Sequence, residues 1–131
     1  MFATIKINGK DVNLKASLYS NIIYKSAFGS NMLTDMAIAG KSGEILLAER
    51  KSDTEESNAA QEVSDIEKIE AAEVVRQIGY QAIWALAKEA DNTILAFPEW
   101  LSNIEDIDFN AAYTTAANLI VDAQKIDRKN V

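Results

Sequence analysis

The chain has 131 residues, and its 20 acidic and 13 basic side chains leave a formal charge of −7. It contains no Cys and no His, which excludes a disulfide framework, a Cys or His zinc site, a thiol nucleophile and any His-dependent triad. The acidic balance disfavours nucleic acid and anionic membrane as partners, while 48% hydrophobic residues supply enough apolar material for a core.

Phe2–Ile7, the turn Asn8-Gly9-Lys10-Asp11 and Val12–Lys15 read as a β-hairpin. Ile5 and Ile7 alternate on one strand, Val12 and Leu14 on the other, and Asn-Gly tolerates positive φ. A lone hairpin is marginal in water and needs a partner on its apolar face. Ser17 can cap a helix over about 18–28 that Gly29 stops, with Leu18/Ile22 and Tyr19/Ile23/Ala27 at helical spacing. Met32, Leu33 and Met36 predict a further short helical turn or two. Residues 40–65 are too polar to offset their ordering entropy by burial and read as a mobile loop or an exposed helical extension.

Ser64-Asp65-Ile66-Glu67 fits a capping box and predicts the start of a long helix to about Ala90. Steps of 100° put Ala71, Val74, Val75, Ile78, Ala82, Ala85 and Leu86 on one face and Tyr80 and Trp84 nearly opposite. Such a helix is either sandwiched inside the fold or displays an aromatic pair. Pro98 suits a helix start, giving a short helix to about Ile104, then the acidic loop 105–108. A last helix over about 110–127 sets Phe109, Ala112, Tyr113, Ala116, Leu119, Ile120 and Ala123 against Thr114, Asn118, Asp122 and Lys125. The expected fold is α+β and mostly α: one domain, with an N-terminal β-hairpin packed on about four helices.

Few motifs carry chemistry. Gly40-Lys41-Ser42 resembles the end of a phosphate-binding loop, but Asp35 stands where the pattern needs glycine. Glu105, Asp106 and Asp108, with Asp91 upstream, could hold a hard cation, yet they lack the spacing of a calcium loop and suit helix capping. No enzymatic signature emerges, and no cofactor or metal is expected. Tyr80, Trp84, Phe97, Trp100 and Leu101 form the most informative set, either as core filling or as an aromatic docking surface for an apolar helix. Exposure of Trp84 or Trp100 discriminates between the two.

Ile5-Lys6-Ile7-Asn8-Gly9-Lys10, Tyr24-Lys25 and Phe28-Gly29-Ser30-Asn31-Met32-Leu33, followed by Ile83-Trp84-Ala85-Leu86-Ala87-Lys88, Ala90-Asp91 and Phe97-Pro98-Glu99-Trp100-Leu101, resemble the tail assembly chaperones of long-tailed phages and prophages of Gram-positive bacteria. The resemblance covers about residues 3–37 and 78–128, with Asn31 where the family pattern favours an acid. It implies a non-enzymatic protein of the host cytoplasm, absent from the mature virion. Its implied partners are the apolar helical tape measure protein, the tail tube protein and further copies of itself, with no nucleic acid and no membrane. It also implies a longer frameshifted form, for which Arg128-Lys129-Asn130 can be encoded as an A-rich slippery heptamer. The rival expectations are a head–tail connector component and, less favoured, a small metal-dependent binder using the 105–108 loop.

Overall fold

The computed structural model describes residues 1–51 and 58–129, with side-chain surroundings for 1–43 and 65–125. Two strands, β1 (Phe2–Ile7) and β2 (Lys10–Lys15), are followed by five helices: α1 (Tyr19–Phe28), α2 (Met32–Lys51), α3 (Asn58–Ala90), α4 (Phe97–Ser102) and α5 (Phe109–Lys129). The fold is thus α+β and mostly helical, as the sequence predicts. Its contacts divide into two compact units, Met1–Met32 with Tyr80–Val131, and Leu33–Gly79.

In the first unit the hairpin is antiparallel, with Ile5 opposite Val12 and Ala3 opposite Leu14. The turn is tighter than the four residues expected: Asn8 and Gly9 alone make it, with φ of 55° and 75°. Two left-handed residues in a row match the twist of the strands, so Lys10 and Asp11 join β2. Ile5, Ile7 and Leu14 are buried, and α5 packs against β1. Asn8 also clamps the loop before α5. Its Oδ1 accepts the N–H groups of Glu105 and Asp106 at 2.8 Å each, and its Nδ2 donates to the Asn103 carbonyl at 2.8 Å.

α5 buries Ala112, Ala116, Leu119 and Ile120 and leaves Thr114, Asn118, Asp122 and Lys125 exposed, the division its periodicity predicts. Residues 82–87 of α3 are all buried, so this part of the helix is enclosed on every side. That settles the sandwiched alternative for it.

α1 departs from expectation. Gly29, at φ 78°, ends it by donating its N–H to the Lys25 carbonyl, and the Ser17 hydroxyl oxygen accepts the Tyr19 N–H at 3.1 Å. The face expected to be inward, however, points out: Leu18, Tyr19 and Ile22 are 64%, 56% and 56% exposed, while Ser20 and Tyr24 are buried. The Ser20 hydroxyl donates to the Glu89 carboxylate at 2.5 Å, and the Tyr24 hydroxyl donates to Gln81 Oε1 at 2.8 Å. Satisfied polar atoms can be buried at little cost, and hydrophobicity alone does not reveal such a face.

In the second unit, α2 runs on to Lys51 where only a turn or two was expected, and α3 begins at Asn58 rather than at Ser64. The flanks of the polar segment 40–65 are therefore helical. Its centre, 52–57, lies outside the described residues. Gly40-Lys41-Ser42 sits inside α2 and is no phosphate loop. A Cβ at Gly40 or Gly43 would meet nothing within 4 Å. Glycine inside a helix is less favourable than alanine by about 0.8–1.0 kcal/mol. Gly40→Ala and Gly43→Ala are each expected to stabilise α2 by about 0.5–1 kcal/mol, read as a rise in the midpoint of urea unfolding.

Candidate functional site

The aromatic residues singled out from the sequence fall into two groups. In the first, Phe28 at the end of α1 is the hub. Its ring lies 4.8 Å from Tyr24, 5.5 Å from Trp84 and 4.9 Å from Phe97, each edge to face. Trp84 and Phe97 are 6.0 Å apart, and Phe97 reaches Trp100 at 6.2 Å. Edge-to-face contacts place the positive ring edge on the negative ring face and add to burial.

Trp84 is 6% exposed and donates its indole N–H to the Leu95 carbonyl at 2.9 Å. It is a core residue that ties α3 to the loop entering α4. Phe97 and Trp100 are half-buried, and Leu101 is 36% exposed. Tyr80 belongs to the second group: its ring lies 4.9 Å from Phe109, which stacks on Tyr113 at 5.8 Å. Burial raises the phenol pKa of Tyr113 above its ordinary value.

Phe28 and Tyr24 are the members that sequence reasoning missed as part of this cluster. The signal was the spacing of Ser20, Tyr24 and Phe28 at i, i+4, i+8, obscured because Ser20 is polar.

The loop between α3 and α4 is held by its own side chains. The Lys88 ammonium donates to the carbonyls of Asn92, at 2.9 Å, and Ile94. Asp91 Oδ1 accepts the Thr93 hydroxyl at 2.6 Å and the Thr93 N–H at 3.0 Å. The Thr93 hydroxyl, its N–H and the Lys88 charge hold the Asp91 carboxyl below the ordinary 3.8. In the acidic loop, Asp108 Oδ1 accepts the Ala111 N–H at 3.1 Å and caps the first turn of α5. Among the described residues no group of three or more Asp and Glu is arranged to hold a metal ion, and no helix is long and apolar enough to cross a membrane.

At the start of α1, Leu18, Tyr19 and Ile22 share one exposed apolar side. The Ala16 N–H donates to the Met1 carbonyl, which brings the exposed Met1 and Phe2 to the same end of the hairpin. Compared with family models, curated proteins and solved structures, the chain matches none.

Proposed function

We propose that the chain is a tail assembly chaperone of a long-tailed phage or prophage. It binds the apolar helical tape measure protein in the host cytoplasm, keeps it soluble and helps to recruit tail tube subunits. The resemblance of the hairpin, Phe-Gly and Trp-Leu segments supports this reading. The observation that carries it is the exposed Leu18, Tyr19 and Ile22 stripe of α1 on a chain of net charge −7. A protein that holds an aggregation-prone helix in solution needs such a stripe for docking and a like-charged remainder for solubility. Within the set singled out from the sequence, Leu101 is exposed and Tyr80, Phe97 and Trp100 are half-buried, so these rather than Trp84 are accessible to a partner.

The test is co-expression with the very long helical protein encoded after the major tail protein gene in the same genome. The wild-type chain is expected to keep that protein soluble. Tyr19→Asp with Ile22→Asp is expected to lower the soluble yield at least tenfold while the chain's own stability moves by about 0.5 kcal/mol or less, as is usual at exposed positions. Undiminished solubilisation by the folded double variant, or a gene order without such a neighbour, would sink the reading.

A further inference from the structure

The hairpin has an open strand edge beside a groove. Ile7 and Lys10 flank a two-residue turn, so Ile7, Ile5 and Ala3 direct their backbone N–H and C=O groups at β2. By the same alternation, Phe2, Thr4 and Lys6 direct theirs to the outer edge of β1. In the turn that follows, Asn8 donates its N–H to the Asp106 carbonyl at 2.7 Å on this side. Ile107 bridges Ile7 in antiparallel fashion beside it. A third strand thus begins on this edge and stops after one bridge, because α5 starts at Phe109.

Beyond that stop, the edge at Thr4 and Phe2 has no strand opposite it among the described residues. A groove of about 430 Å³ lies alongside. Thr4 and Lys6 line it on the strand side and Ala111 on the helix side, over the buried Ile5 and Ala112.

We propose that this groove accepts an extended segment of a partner protein as a third strand on β1. The segment runs antiparallel to β1 and carries a basic residue at its N-terminal end. Its direction follows from Ile107, which already pairs with β1 in that sense. Main-chain hydrogen bonds to an open edge supply affinity that is independent of sequence, and flanking side chains supply the selectivity. The charge follows from Asp106 and Asp108, which line the groove where the segment's N-terminal end would lie. Both are exposed, and the nearby cation, Lys6, is turned to Asp11 at 3.9 Å. A second copy would bring together two chains of charge −7, so the charges favour a basic partner. None of the residues lining the groove belongs to the α1 stripe, and the inference does not rest on the tape measure reading.

The probe is an acetylated Lys-Thr-Val-Thr-Val amide titrated into the full chain, followed by backbone amide NMR shifts. Saturable shifts at Phe2, Thr4 and Lys6 are expected, with affinity at least tenfold weaker when Glu replaces the peptide's Lys and several-fold weaker for Asp106→Asn. Thr4→Pro removes an outward N–H without touching a β2 hydrogen bond, and Ala111→Trp fills the groove from the exposed face of α5. Each is expected to abolish the shifts, and Ala111→Trp decides if Thr4→Pro fails to fold. No shift with either peptide, or shifts unchanged in Ala111→Trp, overturns the proposal. Edge shifts that grow with protein concentration in the absence of peptide would assign the edge to a second copy and overturn it as well.

Discussion

Trp84→Ala is expected to remove about 3–5 kcal/mol of stability, the usual cost of truncating a large buried aromatic. The side chain is nearly inaccessible, it meets Phe28 and Phe97 edge to face, and its indole N–H is bonded to the Leu95 carbonyl. The variant therefore leaves a cavity bordered by two rings and a carbonyl stripped of its donor. Domains of this size hold only about 5–15 kcal/mol in total, so a large fraction of the variant should be unfolded at modest urea. Trp100→Ala is the internal comparison. Half-buried and in ring contact with Phe97, it should cost about 1–2 kcal/mol, within the ordinary range for single substitutions. Urea unfolding followed by circular dichroism checks both, and equal losses would mean that Trp84 is no more deeply set in the aromatic cluster than Trp100. A pull-down with folded Trp100→Ala then separates docking from folding: unchanged binding removes Trp100 from the docking surface.

The elements legible in the sequence are those specified by local chemistry. Asn8-Gly9 between alternating apolar residues defines the hairpin, and the 3.6-residue pattern of α5 separates its buried from its exposed side. Where local signals mislead, a longer-range interaction has prevailed. Leu18, Tyr19 and Ile22 look like an inward stripe, but Ser20 finds Glu89 and Tyr24 finds Gln81, 69 and 57 residues away, and the helix turns that face in. The Ser64-x-x-Glu67 box has the composition of a helix start, yet α3 is already helical from Asn58, since such a box fixes an end only where the preceding residues leave the helix. α2 runs through Gly40 and Gly43, each of which lowers helix propensity by only about 1 kcal/mol. The aromatic set was visible as residue types. Its hub, Phe28, was not, because it meets Trp84 and Phe97 only after the hairpin and α1 fold back on α3. The open edge of β1 likewise depends on where α5 departs from residues 106–108, which strand periodicity cannot reveal.

Glu89→Ala is expected to cost about 2–4 kcal/mol, more than an exposed carboxylate would suggest. The Ser17 and Ser20 hydroxyls both donate to this carboxylate, and the Ser20 oxygen in turn accepts the Ser17 N–H at 2.9 Å. The acid thus stands before the first turn of α1, where the helix dipole favours a negative charge, although it is carried by the last turn of α3, where the dipole opposes one. Hydrogen bonds to a charged group contribute about 1.5–3 kcal/mol, and a buried hydroxyl left without its acceptor costs about 1–3 kcal/mol. Ser20 is that hydroxyl, since it is the buried polar side chain among the described residues. Glu89→Gln keeps an acceptor and gives up the charge, so it should retain about half of the stability that Glu89→Ala loses. Ser20→Ala should cost about 1–2 kcal/mol by itself. In the double variant no buried hydroxyl is left stranded, and the combined loss should fall short of the sum of the single losses by at least about 1 kcal/mol. Urea unfolding of the four proteins completes the cycle. Strict additivity would show that Ser20 and the acid do not act together, and that the orientation of α1 depends on Tyr24 and Phe28 instead.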